Sequence, residues 1–196
     1  MRDPRLETWL RELVSTPGLT AIRDLREARR VHVEESAAAV DLVRDLAGSI
    51  VDVGSGGGAP GIPLAAVLPD REMTLLEAER RKVDFLRRWE GELPNLRVVW
   101  GRAEEQDVDR FGVAVAKALA PPPVAAEWCL PLVRPGGGAV LWVGPTVELD
   151  RVALVAEQLA GSAPEDHDGI LVIRKLGPTP QGFPRRPGMA RKRPLA

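Results

Sequence analysis

Ile50-Val51-Asp52-Val53-Gly54-Ser55-Gly56-Gly57-Gly58-Ala59-Pro60-Gly61 is the stretch that decides the fold. A short apolar run that ends in a glycine cluster is typical of a buried parallel strand followed by a sharp turn. The glycines let the chain turn and let a ligand approach bare backbone. Residues 62–68 are predicted to start a helix, because a proline is tolerated in a first helical turn. Strand, turn and helix together predict the opening unit of a doubly wound α/β nucleotide-binding sheet.

The glycine cluster is compatible with two kinds of nucleotide. Residues 56–61 satisfy the G-x-G-x-x-G pattern of dinucleotide sites, although that match alone is weak. Pro60 and Pro63 remove two backbone donors that a pyrophosphate needs. Asp52, just before the turn, repels a pyrophosphate but suits the ammonium group of S-adenosylmethionine. A glycine-rich turn without any ligand is the third interpretation. The residues favour S-adenosylmethionine.

Composition narrows the class of protein. The chain has 196 residues, 44% of them hydrophobic, which suits one well-buried domain with a short appendage. No apolar run approaches the roughly 20 residues of a membrane span, and the first residues do not resemble a secretory signal. A single cysteine, Cys129, fits a reducing cytoplasm. With only His32 and His167 beside it, we expect no metal site. The tryptophans are expected to lie on apolar faces, Trp100 among them.

Helical and strand patterns alternate after a helical prefix. Before the glycine cluster, the spacing of apolar residues predicts three short helices that pack on the sheet as a cap. After it, apolar runs bounded by turns predict strands covered on both faces. The predicted helices are 4–15, 21–30, 34–46, 62–68, 79–89, 121–132 and 147–159, and the predicted strands are 50–53, 73–77, 96–100, 113–116, 139–143 and 169–174.

Polar residues at the ends of two predicted strands form candidate nucleoside contacts. Glu77 ends the second strand, where a carboxylate can accept both hydroxyls of a ribose. We expect Asp52 and Glu77 to face a common cleft. Arg102-Ala103-Glu104 follows the third strand, where an adenine ring could lie against Ala103. The alternatives are a solvated strand end at Glu77 and a surface ion pair between Arg102 and Glu104.

Charge is distributed unevenly along the chain. The net charge is −1, but residues 174–196 carry seven cations and no acid. A basic tail on an acidic body indicates a local contact with a polyanion, whereas a solvated, disordered end is the alternative.

Several motifs resemble the RsmG (GidB) family of 16S ribosomal RNA guanine-N7 methyltransferases, almost from end to end. The glycine loop with both prolines is similar to the family's loop. The other resembling segments are residues 19–22 with His32 and Ser36, Lys82 with Phe85-Leu86, Gly101-Arg102-Ala103-Glu104, Pro178-Thr179-Pro180, residues 183–188 and Pro194-Leu195. The resemblance implies a Rossmann-like class I methyltransferase sheet of seven strands, the last one reversed, with a short helical amino-terminal cap. Its implied domains are a cap at 1–48, a cofactor-binding domain at 49–176 and a basic Pro/Arg-rich tail at 177–196.

The resemblance also implies the reaction and its residues. A methyl group passes from S-adenosylmethionine to N7 of a guanine, which has a lone pair and no proton, so no general base is needed. Together with the loop argument, the expected cofactor contacts are Asp52, Gly54, Ser55, Gly56, Gly58, Ala59, Glu77, Ala78, Glu79, Ala103, Glu104 and Lys117. Lys117 and Arg102 are the candidates for the catalytic role of positioning cofactor and RNA phosphate. The candidate RNA contacts are His32, Arg185, Arg186, Arg191 and Lys192.

The implied partner is 16S ribosomal RNA or the small ribosomal subunit, bound by a monomer. Four positions depart from the family pattern: Gly18 replaces Asn, Glu35 replaces Asp, Lys117 replaces Arg and Val143 replaces Lys. Lysine lacks the planar fork of arginine, so the third change is not conservative. A second interpretation is therefore a protein that binds the cofactor but acts only as an RNA-binding module. A nicotinamide-dependent oxidoreductase is the third.

Overall fold

The computed structural model describes residues 3–144 and 146–196, and in these ranges seven strands form one sheet. The strands are β1 (Ile50–Val53), β2 (Met73–Glu77), β3 (Leu96–Trp100), β4 (Phe111–Lys117), β5 (Val133–Trp142), β6 (Glu165–Asp166) and β7 (Ile170–Arg174). Their order across the sheet is β3-β2-β1-β4-β5-β7-β6. Strands β1 to β5 pair in parallel, whereas β7 runs antiparallel to both β5 and β6. The predicted seven-stranded α/β sheet with a reversed last strand is confirmed.

Strand β6 is a strand that the residue pattern did not predict. It consists of two exposed acidic residues, Glu165 and Asp166, and forms one edge of the sheet. A strand this short has no apolar alternation to detect. Strands β4 and β5 are also longer than the apolar runs that predicted them.

The helices cover both faces of the sheet. In chain order they are α1 (Pro4–Ser15), α2 (Leu25–Ala28), α3 (Glu35–Ala37), α4 (Val40–Arg44), α5 (Gly61–Val67), α6 (Arg80–Leu86), α7 (Pro122–Cys129), α8 (Leu149–Gln158) and α9 (Met189–Lys192). None of the helices in the described ranges is long and apolar enough to span a membrane.

Strand β1 shows how the sequence builds the two hydrophobic layers. All four of its residues are buried, and alternate side chains point to opposite faces of a strand. Ile50 belongs to the first core, which α1, α4, α5 and α6 cover. Val51 and Val53 belong to the second core, which α7 and α8 cover. Burial on both sides thus explains why apolar residues occupy both faces of this strand.

Helix α1 begins and packs as its sequence predicts. The Asp3 carboxylate accepts a hydrogen bond from the Arg5 backbone N–H at 2.9 Å, which caps the helix, and Pro4 occupies its first turn. The buried side chains of the helix are Leu6, Trp9, Leu10 and Leu13. The helix therefore contributes its entire apolar face to the first core.

The rest of the cap differs from the prediction of two separate helices at 21–30 and 34–46. Asp24 caps α2, so helical structure begins only at Leu25. A π-helical turn, Arg29–Glu34, then leads directly into α3. The second predicted helix is also interrupted, since α4 starts only at Val40. The cap is one irregular helical path with a widened turn at its centre.

The position of Trp100 also differs from the prediction. The prediction placed its indole on an apolar face, but the side chain is 54% exposed at the end of the edge strand β3. The Arg80 guanidinium lies 4.8 Å from the ring centroid, and the indole N–H donates to the Ala78 carbonyl at 3.0 Å. A strand at the edge of a sheet has fewer covering elements, which explains the exposure.

Candidate functional site

A cavity of about 490 Å³ opens where β1, β2 and β4 end, between the sheet, the cap and the carboxyl-terminal segment. This is the edge at which doubly wound sheets bind their ligands. Its lining residues are Leu13, Leu19, Val31, His32, Val53, Gly54, Ser55, Gly56, Gly57, Ala59, Leu76, Glu77, Ala78, Lys82, Gly101, Arg102, Ala103, Glu104, Lys117, Ala118, Leu119, Trp128, Gly188 and Arg191.

The glycine loop presents bare backbone to this cavity. Gly54 has φ +69°, and a Cβ added there would lie 2.3 Å from the Leu119 Cδ1. Gly56 has φ +57°, and the nearest atom to its added Cβ is 3.9 Å away. Both backbone conformations strongly favour glycine. The first glycine is fixed by packing, and the second leaves open space for a ligand.

Glu77 is a buried carboxylate at the tip of β2, only 7% exposed. Its Oε2 accepts the Gly56 N–H at 2.8 Å, and its Oε1 accepts the Glu79 N–H at 2.8 Å. Two backbone donors, one in the glycine loop and one just after β2, therefore fix the orientation of the carboxylate. Because Glu77 also lines the cavity, it remains positioned to accept hydroxyl groups from a ligand.

Asp52 does not share this cleft. It is 1% exposed, and its Oδ2 accepts the Gly61 N–H at 3.1 Å behind the loop, whereas Oδ1 has no hydrogen-bond partner among the residues that the structure describes. Burial raises the pKa of the Asp52 carboxyl to about 7, and the Gly61 N–H and Ser55 oppose this rise. The geometry makes Asp52 a support of the glycine turn. Asp52 and Glu77 were both expected to face the cleft, but only Glu77 lines it.

The raised pKa of Asp52 predicts a stability that depends on pH. An acid whose pKa is higher in the folded than in the unfolded state stabilises the fold at low pH, and this stability is lost as pH rises through about 7. We expect the free energy of unfolding to fall between pH 4 and pH 8 by up to about 4 kcal/mol. Asp52→Asn, which stays neutral, should flatten that fall in urea denaturation. Asp70→Asn, at an exposed position, is the control; an unchanged slope in Asp52→Asn would contradict the assignment.

The cap is fastened to the glycine loop by Trp9. Its indole N–H donates to the Gly57 carbonyl at 2.9 Å, and its ring is fully buried. The His32 ring meets Trp9 edge to face, with centroids 6.4 Å apart. The cap thus determines the outer position of the loop.

His32 lies in the cavity wall, where its surroundings favour the neutral form of the ring. Its Nε2 is 3.1 Å from the Thr20 hydroxyl. Burial lowers the pKa of His32, the Lys117 cation lowers it further, and Glu35 partly compensates. The residue connects two parts of the cap beside the cavity.

Lys117, at the end of β4, reaches the same part of the cap. Its ammonium lies 2.9 Å from the Glu35 Oε2 and donates to the Val31 carbonyl. The neighbouring strand β5 adds a second contact with the cap: the Trp142 indole N–H donates to the Glu35 carbonyl at 2.8 Å. The Lys117 charge is therefore already engaged by the protein, at the cavity wall.

Lys117→Met should loosen the cap. The change leaves Glu35 without its cation and the Val31 carbonyl without its donor, and we expect a loss of about 1–3 kcal/mol in unfolding free energy. Lys117→Arg keeps the charge and is the control. Denaturant titration measures the loss, and amide hydrogen exchange should rise at residues 29–37. Equal stability of the two variants would show that the contact contributes little.

Other predicted site residues divide into two groups. The first group lines the cavity together with Glu77, Lys117 and His32. It consists of Gly54, Ser55, Gly56, Ala59, Ala78, Arg102, Ala103, Glu104 and Arg191. The second group lies outside the cavity lining and consists of Asp52, Gly58, Glu79, Arg185, Arg186 and Lys192. A Cβ at Gly58 would meet Ile62 at 2.5 Å and the Trp9 indole nitrogen at 3.2 Å, so this glycine serves the packing of the loop.

Several lining residues had no recognisable signal in the sequence. The sequence gives Leu13 and Val31 the character of ordinary core positions, and Trp128 that of a neighbour of the core residue Cys129. The folded cap brings the first two to the cavity, and helix α7 brings Trp128. Within residues 3–144 and 146–196, no group of three or more His, Cys, Asp or Glu is arranged to hold a metal ion.

The fold resembles solved S-adenosylmethionine-dependent enzymes. An O-methyltransferase from neocarzinostatin biosynthesis, in complex with S-adenosylmethionine, superposes with a TM-score of 0.62 at 19% identity, over 78% of this chain and 56% of the other. A SAM-dependent O-methyltransferase from Thermotoga maritima gives 0.59 at 16% identity, over 84% and 73%. These similarities establish the class I methyltransferase fold.

Sequence comparison gives the family. The model of GidB, rRNA small subunit methyltransferase G, matches residues 5–160. The ribosomal RNA small subunit methyltransferase G of Moorella thermoacetica is 38% identical, covering 91% of this chain and 82% of that protein. The protein of the same name from Synechococcus elongatus is 35% identical, with the same coverage. The chain belongs to the GidB family of rRNA small subunit methyltransferase G proteins.

Proposed function

We propose that this protein methylates N7 of a guanine in 16S ribosomal RNA with S-adenosylmethionine as its cofactor. The observation that carries the proposal is Glu77, a buried carboxylate held by two backbone donors beside the glycine loop that lines the cavity. When bound, S-adenosylmethionine supplies an activated methyl group on a sulfonium sulfur. The relatives' shared name supports ribosomal RNA of the small subunit as the substrate class.

The cavity fits a nucleoside cofactor. Its volume, about 490 Å³, lies within the range of roughly 300–1,000 Å³ for small-molecule sites. Glu77 accepts the ribose hydroxyls, and the buried Ala103 offers an apolar surface to the base. Gly54, Ser55, Gly56 and Ala59 provide the backbone surface of the loop. We also assign Ala78, Glu104 and Lys117 to the wall of this site.

The protein's part in the reaction is placement and exclusion of water. Guanine N7 carries a lone pair and no proton, so the site needs no general base. Correct placement of two reactants can supply roughly 7–11 kcal/mol of the barrier. Leu13, Leu19 and Val31 give the cap side of the cavity an apolar wall. His32, with its lowered pKa, shapes that wall and contacts RNA as a neutral ring.

RNA contacts are proposed for cations on the surface around the cavity. Arg102 is exposed at the cavity rim, and Arg186 and Lys192 are exposed on the carboxyl-terminal segment. Such cations bind phosphates and make affinity depend on salt. We propose that a cytoplasmic monomer uses them on the small subunit, with the cap at 1–48, the cofactor domain at 49–176 and the tail at 177–196.

The test uses small ribosomal subunits from cells that lack this methylation. Labelled S-adenosylmethionine should transfer its methyl group to the RNA with the wild-type protein and not with Glu77→Ala. Mass spectrometry of the digested RNA should then show N7-methylguanine. Cofactor binding without transfer would favour the alternative, a protein that binds RNA without modifying it. The engagement of Lys117 by Glu35 is the observation that keeps this alternative open.

A further inference from the structure

The carboxyl-terminal segment, residues 177–196, folds against the body beside the cavity. Thr179 fixes its start: the hydroxyl donates to Asp109 Oδ1 at 2.7 Å and accepts from the Lys175 ammonium at 3.0 Å. Lys175 is 1% exposed, so the start of the segment is attached to a buried ammonium group. At the other end, Leu195 and Ala196 pack against the second core. The segment is part of the fold along its length.

A buried ion pair holds the middle of the segment. The Arg185 Nε and Nη2 donate to the two oxygens of Glu127, each at 2.6 Å. Glu127 is 3% exposed on α7. A bidentate pair fixes orientation as well as distance. Both of these Arg185 donors are therefore occupied by the protein.

Two residues beyond this pair reach the cavity itself. The Gly188 N–H donates to Glu104 Oε1 at 3.0 Å. The Arg191 guanidinium donates to the Leu119 carbonyl at 3.3 Å and lies 5.2 Å from the centroid of the Trp128 ring. Gly188, Arg191 and their three partners all line the cavity. Gly188 contacts Glu104, beside Ala103, at the end assigned to the adenine base, and helix α7, which carries Trp128, lies against residues 103–105.

From this geometry we propose that the carboxyl-terminal segment is the outer wall of the adenine end of the cofactor site. Arg191 and Gly188 are its contact residues, and Arg185 is a positioning residue that acts through Glu127. The inference rests on the proposed function, since it takes the ligand to be an adenine nucleoside. It gives the segment a role in cofactor retention, which differs from the role in RNA binding that its charge alone indicates.

The test is calorimetric titration of the full-length protein with adenosylhomocysteine, without RNA. We expect Arg191→Ala to weaken binding about tenfold, because the guanidinium no longer closes the cavity over the base. Arg193→Ala removes the same charge at an exposed position of the same segment and should stay within twofold of wild type. Arg191→Lys keeps the charge without the planar group and should fall between them.

Arg185→Ala tests the positioning role and can also destabilise the fold, because it leaves Glu127 unpaired. The double variant Arg185→Met with Glu127→Met keeps an apolar contact and avoids that cost. It should weaken adenosylhomocysteine binding while the melting temperature without ligand stays near that of the wild type. Weaker binding together with a preserved melting temperature supports the inference.

The outcomes separate the two proposals. If wild type binds adenosylhomocysteine and Arg191→Ala binds it equally well, the wall assignment is overturned while the proposed function stands. If Arg191→Ala weakens binding but wild type fails to methylate small subunits, the RNA methylation proposal falls and the wall assignment stands. If wild type does not bind adenosylhomocysteine, both fall.

Discussion

Glu77→Ala should weaken adenosylhomocysteine binding by roughly a hundredfold, equivalent to about 2.7 kcal/mol. The variant removes the acceptor proposed for the ribose hydroxyls. It also releases the Gly56 and Glu79 N–H groups, each now 2.8 Å from a carboxylate oxygen, so the loop loses the group that orients it. Hydrogen bonds to a charged group contribute about 1.5–3 kcal/mol each, which is why this position carries the largest expected effect on affinity.

Calorimetry without RNA measures this effect, and two variants calibrate it. Glu77→Gln keeps one oxygen acceptor and should lose less affinity than Glu77→Ala. Glu72→Ala removes an exposed carboxylate just before the same strand and should bind like wild type. If Glu77→Ala binds within threefold of wild type, Glu77 does not contact the ribose.

Trp9→Ala should have the largest effect on stability, a loss of about 3–5 kcal/mol in unfolding free energy. Trp9 is fully buried at the contact between α1 and the glycine loop. Truncation removes a large apolar volume and also the donor to the Gly57 carbonyl. We expect weaker cofactor binding as well, because the loop loses its support from the cap.

Trp9→Phe separates the two contributions. It retains most of the ring and removes the indole N–H, so it should cost about 1–3 kcal/mol. Urea denaturation gives the stabilities and calorimetry the affinities. If Trp9→Ala reduces stability but leaves adenosylhomocysteine affinity unchanged, the cap supports the fold without shaping the loop.

The sequence predicts the centre of the site well because local physics determines it. An apolar strand, glycines with positive φ and a following helix form a unit that needs no distant partner to be recognised. Gly54 and Gly56 were expected at the ligand, and both line the cavity. Glu77 was expected at a strand end, and parallel strands bring such ends to one edge of a sheet.

The outer parts of the site depend on contacts between distant residues. The hydrogen bond from Trp9 to Gly57 and the ion pair of Arg185 with Glu127 join segments whose spacing carries no periodic signal. Asp52 lies beside the predicted turn, yet the hydrogen bond to Gly61 takes its carboxylate behind the loop. The charge of residues 177–196 alone does not distinguish a tail that binds RNA from a segment that folds against the rest of the protein.

The two-residue strand β6 has a consequence for self-association. Its exposed Glu165 and Asp166 form one rim of the sheet. A second copy meeting that rim would find almost no backbone to pair with, and carboxylates would face carboxylates. Short, charged rims are a recognised protection against the growth of continuous β-structure between molecules. This rim should therefore resist fibril-like assembly even in concentrated solution.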